Sequence, residues 1–405
     1  WLCPVRPGDR LAPHALAVIA AALDRADDAC MAYTDTVRCD GAGMPREVEL
    51  KPGFDPVLDA ARPYARELAL VRRDAPAGPH APLHIPYPAL LTDAPAETRP
   101  FAPPAPDPLP AISIVIPSRD RGDLIGPLLQ GLFEETDYPG LEVIVVDNGS
   151  SDPEVLAEYD RRAAQGLRVL RHDAPFNFSA MINRGVDAAR GAAFLLLNND
   201  IEVTEPGWLR EMAACLNLPG TGIVGARLDF PDGRLQHAGV ITGMDRGHAG
   251  HWYSGRPADT EGIMQRLRHR GSFSAVTAAC MLISRDCWQR TGPFDEEVFA
   301  VAYNDVDFCL RAGQAGFGVV WTPHASLIHH ERASRRRASP GKLAQFWAER
   351  RALRARHQTH RRTDPAISPW LRFSGTVPVP RLLPAIPPPR RFRTAFATQS
   401  PECRA

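Results

Sequence analysis

Four stretches of this 405-residue chain hold residues whose types and spacing could do chemistry. Leu197-Asn198-Asn199-Asp200 ends one apolar run, and Val145-Val146-Asp147-Asn148-Gly149-Ser150 ends another. Asn304-Asp305-Val306-Asp307-Phe308-Cys309-Leu310-Arg311 opens a helical pattern, and His329-His330-Glu331 begins 24 residues after Asp305. Carboxylates, amides and imidazoles can hold a hard divalent cation and the phosphates and hydroxyls around it. A carboxylate set apart from those ligands can take a proton from an attacking hydroxyl. Singly, each stretch has a plainer meaning. A carboxylate at a strand end is more often a turn former, Asp-Asn-Gly is an ordinary turn, Asp305 and Asp307 would complement a helix dipole, and two adjacent histidines are more often structural.

These residues need elements that bring them together. Residues 112–116, 141–146, 167–171 and 194–197 read as buried strands, and 123–133, 153–165 and 179–189 as helices between them. Such alternation means β-α-β units and a mostly parallel sheet. The polar strand ends then lie on one edge, where ligands of open α/β sheets gather. Further on, 208–217 reads as a helix, and 222–228, 239–242, 274–284 and 319–321 as strands. Residues 248–270 have no clear period and read as a loop or lid.

The sequence divides into a mixed segment (1–92), a Pro-rich extended linker (93–110), the region just described (111–331) and a basic tail (332–405). Net charge is zero, yet the tail has 17 Arg or Lys against 3 Asp or Glu. Such a tail suggests an anionic partner, a membrane surface or nucleic acid. Within it, 342–356 sets Leu343, Phe346, Trp347 and Leu353 on one helical face, which is expected to pack on the domain more than to lie in a membrane interface. Beyond Thr363 the Pro- and Arg-rich composition predicts loose order. The eight cysteines are scattered and read as reduced core thiols. No apolar run is long enough to cross a bilayer and no signal segment opens the chain, so the expected location is the cytoplasm. The chain begins at Trp1, which suggests a fragment of something longer.

Two literal motif matches are set aside. Gly220-Thr221-Gly222-Ile223-Val224-Gly225 fits G-x-G-x-x-G but opens a strand, whereas a dinucleotide fingerprint must open a helix. Asn148-Gly149-Ser150 and Asn177-Phe178-Ser179 fit the glycosylation acceptor but lack the secretory context it requires.

Taken together, Val115-Ile116-Pro117-Ser118, the Asp147 and Asp200 stretches, Asn177-Phe178-Ser179 with Asn183-Arg184-Gly185, the Asp305 stretch and His329-His330-Glu331 resemble the family 2 glycosyltransferases of GT-A fold. Within that family the sequence is most similar to rhamnosyltransferase-like enzymes of O-antigen and capsule assembly. The resemblance implies an α/β fold, a Rossmann-like mostly parallel sheet flanked by helices. It also implies a nucleotide-diphosphate sugar donor, possible donors including dTDP-rhamnose, a divalent metal (Mg or Mn) and inversion at the sugar's C1. By position, Asp305 becomes the catalytic base, and Asp200 and His329 the metal ligands, with His330 in reserve. Pro117, Ser118, Arg119, Asp147, Asn148, Ser150, Asn183, Asn198 and Asn199 are assigned to the nucleotide sugar, while Asp307 and Arg311 support. Two departures stand out: Asn198 occupies a position that is Asp in many relatives, and Asn304 replaces the usual Glu.

The acceptor implied is lipid-linked or a polysaccharide, met at the inner face of the cytoplasmic membrane with peripheral contact through the basic tail; no nucleic acid is expected. Residues 1–92 resemble the back half of a second such module, with Pro7-Gly8-Asp9-Arg10-Leu11-Ala12-Pro13, Tyr33-Thr34-Asp35 and Glu49-Leu50-Lys51-Pro52 as the matching segments and no catalytic role expected. Two rivals remain. A sugar-1-phosphate nucleotidyltransferase would need a Gly-rich loop with a Lys after the first strand, and 117–128 has no Lys. A non-catalytic nucleotide- or glycan-binding module would have little reason to hold Asp200, Asp305 and His329 together.

Overall fold

The computed structural model describes residues 1–26, 28–75, 81–331, 339–361, 364–382 and 385. The arginine run 332–338 and the tail from 386 onward, on which part of the expected membrane contact rests, lie outside the described residues, as does Cys403. The seven described cysteines are free thiols. No described helix is long and apolar enough to cross a membrane.

The chain forms two compact units: Pro103–Thr260 with Phe273–Arg362, and Trp1–Ala102 with Glu261–Ser272 and Thr363–Ala405. The first unit contains the alternating region. Its elements are β1 (Ile112–Ser118), α1 (Gly122–Gln130), β2 (Glu142–Asp147), α2 (Pro153–Ala163), β3 (Arg168–Arg171), α3 (Phe178–Ala188), β4 (Ala193–Leu197) and β5 (Ile201–Val203). Then follow α4 (Trp208–Leu216), β6 (Thr221–Asp229), β7 (Leu235–His237), β8 (Val240–Thr242), β9 (Ala249–His251), β10 (Cys280–Ser284), α5 (Arg285–Thr291), α6 (Asn304–Gln314), β11 (Gly318–His329) and α7 (Pro340–His357).

The main sheet runs β5-β11-β6-β10-β4-β1-β2-β3. β1, β2, β3 and β4 are mutually parallel where they pair, whereas β10 runs antiparallel to both β4 and β6. Every residue of β1 and β4 is buried. Strands covered on both faces carry continuous apolar runs for this reason, and each buried Ile, Leu or Val contributes roughly 1.5–3 kcal/mol. Local signals set the helix starts. Asp152 accepts from Glu154 N (2.9 Å) before Pro153, and Asn177 accepts from Ala180 N (3.0 Å) at the head of α3.

Three expectations are corrected. The strand expected at 274–284 is confined to Cys280–Ser284, because the preceding residues leave the ladder and reach toward α6, where Ala278 N donates to Asp305 Oδ2 at 3.2 Å. The strand expected at 319–321 extends to His329. Its pairing with β6 steps from Ala226↔Thr322 to Arg227↔Ser326, so Pro323, His324 and Ala325 are absorbed in a bulge and the strand resumes. On α7 only Leu353 of the expected apolar face is buried, while Leu343, Phe346 and Trp347 are exposed. The rejected glycine motif has a packing explanation: a Cβ on Gly225 would sit 2.5 Å from Val276 Cβ, and one on Gly222 2.7 Å from Phe317 Cβ.

The second unit builds a sheet of its own. Leu83–Thr92 pairs parallel with Met31–Cys39, which also pairs antiparallel with Pro45–Glu49 and Ala69–Val71. A buried ionic network holds it: Lys51 Nζ lies 3.0 Å from Glu67, and Glu49 and Glu67 both pair with Arg38 while Glu49 also takes Arg62. The Pro-rich stretch after Thr92 does not hang free. Arg38 donates to Ala94 O (2.9 Å) and Arg99 N to Ala61 O (2.7 Å).

Candidate active site

The carboxyl ends of β1, β2 and β4 meet at one edge, as parallel pairing requires. Ser118 pairs in register with Asp147, and Asn148 N donates to Ser118 O (2.9 Å). Asp147 is fully buried. Its Oδ1 accepts from Gly149 N (3.0 Å), Ser150 N (2.9 Å) and Arg171 Nη1 (2.7 Å). Its Oδ2 has no hydrogen-bond partner among the described residues. A buried acceptor left unpaired costs on the order of 1–3 kcal/mol, so a donor on a ligand would find a prepared site there. Behind it lies Tyr159, whose hydroxyl burial pushes up to about 12.

The other residues assigned to the nucleotide sugar divide by what they touch. Asn148 spends its amide on His172 O (2.9 Å) and Ala174 O (2.8 Å), and Ser150 Oγ accepts from Asp120 N (2.7 Å). Both shape the loops around the edge. Asn199 Nδ2 donates to Ser118 Oγ (3.1 Å), linking β4 to β1, and Pro117 is buried beside it while Arg119 is exposed. Asn183 is bound elsewhere: it exchanges hydrogen bonds with Phe294 N and O, both 3.0 Å, and reaches Glu296. With Asn177, whose amide donates to Glu296 O (2.9 Å), it fastens the loop that leads into α6.

Asp200 and His329 are brought together by the antiparallel pairing of β5 with β11, in which Ile201 faces His329 and His330 N donates to Asp200 O (2.9 Å). Both side chains are buried, and His329 Nε2 lies 3.0 Å from Asp200 Oδ1. That oxygen nonetheless has no hydrogen-bond partner among the described residues. Gln236 donates through Nε2 to Glu331 Oε2 (3.2 Å) and so presents its carbonyl Oε1 to His329 Nδ1 at 2.6 Å. In the neutral ring the Nδ1 proton goes to Gln236, which leaves Nε2 as a lone pair facing a carboxylate oxygen. Two acceptors aimed at one point suit a cation, and the amide behind the histidine is the support metal-ligating imidazoles use. Among the described residues no group of three or more His, Cys, Asp and Glu could hold a metal alone, so further ligands would come from a ligand's phosphates or water. Asn198 Nδ2 lies 3.4 Å from His329 Nε2. His330 turns instead to Glu202 (2.8 Å) and is half-exposed.

Asp305 opens α6. The residue before Asn304, Tyr303, has left-handed backbone (φ 59°), an uncommon state for an aromatic residue. The half-buried Asp305 carboxylate accepts from Val306 N (2.8 Å) and Ala278 N (3.2 Å). Asn304 Oδ1 accepts from Asp305 N (2.8 Å), and its buried Nδ2 lacks a partner among the described residues. Asp307 points the other way, fully buried, accepting from Arg311 Nε (2.8 Å), Arg356 Nη1 (3.0 Å) and His357 Nε2 (2.8 Å). Burial raises its carboxyl, but the bonds from His357, Arg311 and Arg356 outweigh that and hold it below the usual carboxylate range. Arg311 also donates to Thr291 O and Pro293 O. Asp307 and Arg311 therefore fix α6.

Sequence reasoning missed three features. Gln236 lies in a short strand with no pattern of its own. His237 and His251 approach with Nδ1 atoms 2.9 Å apart, joined only by the pairing of β8 with β9 and the course of β7. Burial holds His237 well below its ordinary value, with His251 and His329 adding to it. His251 is also lowered by burial, against the pull of Asp305 and Glu331. Arg121 pairs with Asp123 and feels Asp200 electrostatically; its signal was the charge cluster just after β1.

Comparison with known proteins adds to this geometry. The model of the family described as "Glycosyltransferase like family 2" matches residues 110–361. The protein named "Uncharacterized protein y4gI" of Sinorhizobium fredii is 40% identical over 327 residues, which cover 79% of this chain and 35% of its own. The O-antigen biosynthesis protein RfbC of Myxococcus xanthus is 38% identical over 270 residues, 66% of this chain and 21% of its own. The N-acetylglucosaminyl-diphospho-decaprenol L-rhamnosyltransferase of Mycobacterium tuberculosis is 26% identical over 256 residues, 59% of this chain and 81% of its own. The chain thus spans about a third and about a fifth of the length of the first two relatives.

Proposed function

The chain belongs to the glycosyltransferase like family 2 and has its GT-A type of α/β fold, and from that premise we propose an inverting transfer of a sugar from a nucleotide-diphosphate sugar to a hydroxyl of a lipid-linked or polysaccharide acceptor. dTDP-rhamnose is the donor proposed, supported by the rhamnosyltransferase-like motifs and by the name of the mycobacterial relative. The reaction is placed at the inner face of the cytoplasmic membrane.

The observation that carries this reading is the unpaired Asp200 Oδ1 facing the His329 Nε2 lone pair, with Asp305 held separately at the head of α6. A Mg²⁺ or Mn²⁺ ion held by Asp200 and His329 would neutralise the diphosphate as it leaves. Asp147 offers its free Oδ2 to a donor N–H of the base. Asp305 takes the proton of the acceptor hydroxyl, whose oxygen attacks C1 from the side opposite the diphosphate. Displacement in one step inverts C1. Asp305 keeps its orientation because two backbone N–H groups fix its two oxygens.

The test is nucleotide binding by thermal shift with dTDP, UDP and GDP, with and without Mn²⁺, on the parent and on Asp200→Ala. A metal-dependent shift with one nucleotide, lost in the variant, supports the proposal. Absence of any shift in the parent contradicts it.

A further inference from the structure

α7 runs 18 residues but buries only part of its second half, through Glu349, Arg350, Leu353 and His357. That half is tied down. Glu349 accepts from Ala302 N (2.5 Å), Arg350 donates to Asp245 Oδ2 (2.7 Å), and Arg356 and His357 donate to Asp307. In the first half, every position from 340 to 348 is exposed. Helix without tertiary packing is marginal in water. Yet this half carries Leu343, Phe346 and Trp347 at 47%, 38% and 47% exposure. Among the described residues its one aromatic contact with the body of the domain is Phe346 against Tyr303, with ring centroids 5.7 Å apart. Val298 (37%) and Val301 (43%), in the loop that Glu349 holds through Ala302, add to the apolar surface. Single exposed apolar residues are ordinary, but five large ones gathered at one helix and its neighbouring loop mark a contact surface.

Charge indicates what covers it. Along α7, Arg350 and Arg356 are spent on Asp245, Asp295 and Asp307, which leaves Lys342 and Arg351 as exposed cations, and the sequence just before it, 332–338, has four more arginines. A protein partner would have to desolvate these exposed cations or pair each one. An anionic lipid surface accepts Lys342 and Arg351 beside the apolar patch: Trp, Phe and Leu enter the acyl boundary while the Lys and Arg stems lie along it with their heads at the phosphates. We infer that the first half of α7, with the loop at Val298 and Val301, is the face by which this domain docks on an anionic lipid surface.

The consequence lies at Tyr303. Phe346 rests on its ring, and Tyr303 directly precedes Asn304 and Asp305. The docking face therefore adjoins the head of α6, and an acceptor carried by a lipid reaches Asp305 from that side. This inference rests on the proposed transfer to a lipid-linked acceptor and names its direction of approach.

Flotation of the whole chain with vesicles of phosphatidylcholine, alone or mixed with phosphatidylglycerol, tests it. The parent is expected to float with the mixed vesicles. Phe346→Ser/Trp347→Ser should lower the bound fraction about tenfold or more. As an independent variant, Lys342→Glu/Arg351→Glu should weaken binding to mixed vesicles roughly fivefold per charge removed. Both pairs occupy exposed positions, so the melting temperature and the nucleotide-induced shift should match the parent's. A parent that floats with neither vesicle, or variants that bind as well as the parent, would overturn the inference. So would a lipid-free dimer that Phe346→Ser/Trp347→Ser dissolves, since the patch would then belong to a second copy. The nucleotide-induced shift on the same samples separates the two readings: its absence in the parent contradicts the transferase proposal, whereas its presence without flotation contradicts the docking face alone.

Discussion

His329 Nε2 lies 3.0 Å from Asp200 Oδ1, and no hydrogen bond joins them. Two buried acceptors so close repel unless a cation or proton sits between. The sequence separates them by more than a hundred residues, and only the antiparallel pairing of β5 with β11 sets them side by side.

The first prediction concerns this pair. His329→Ala should weaken Mn²⁺ binding in the presence of nucleotide, and Gln236→Leu, which removes the support of Nδ1, should weaken it by about 10–100-fold. Titration calorimetry with Mn²⁺ at fixed nucleotide reads both. Gln236→Leu binding metal like the parent would contradict the tautomer argument.

Asp147 gives a second. Asp147→Asn keeps the shape of the loop but changes the acceptor at Oδ2, so the preferred pyrimidine nucleotide should bind about tenfold or more weakly. GDP should be less affected. Competition binding of the three nucleotides decides the matter, with the melting temperature as a control for the bonds to Gly149 and Ser150.

Asp307 gives a structural prediction. Asp307→Ala leaves the guanidinium groups of Arg311 and Arg356 and the donor ring of His357 without their buried carboxylate, and loss of one member of such a cluster costs about 3–5 kcal/mol. Urea denaturation measures it. Because the folded carboxyl is held below its usual value, its stabilisation is fully present above the unfolded value of about 3.9 and is lost as pH falls through the folded one. The parent should therefore lose stability below about pH 4, and Asp307→Ala should lose less over the same window.

Much of the scaffold was legible in the sequence. Leu141 to Val146 and Phe194 to Leu197 read as buried parallel strands because such strands are apolar on both faces. Asp147 and Asp200 were placed at strand ends on that basis alone. What the sequence hid was long-range. The bulge at Pro323 hid the continuation of the strand expected at 319–321 to His329. Gln236, His237 and His251 acquire meaning only when short strands fold them against His329. Asn183 is assigned to the nucleotide sugar by resemblance alone, and nothing in its sequence shows that its amide anchors the loop before Asp305. The apolar face of α7 was visible as a periodicity, but periodicity cannot distinguish a face packed on protein from one left exposed.

Gly225 supplies a prediction free of any chemistry. A methyl there would meet Val276 at 2.5 Å, so Gly225→Ala should cost about 1–3 kcal/mol through overpacking. Thermal denaturation reads it. No cost would show that the β6 backbone can move away from Val276.

The central claim is that Asp305 takes the acceptor's proton while Asp200 and His329 hold the donor's metal. Asp305→Asn tests it most directly, because the substitution preserves the shape of the side chain and lies apart from the Asp200–His329 pair. With donor and acceptor supplied, kcat should fall by about 10²–10⁴-fold, while the metal-dependent nucleotide shift stays that of the parent. Turnover equal to the parent's would remove Asp305 from the chemistry and with it the proposed mechanism.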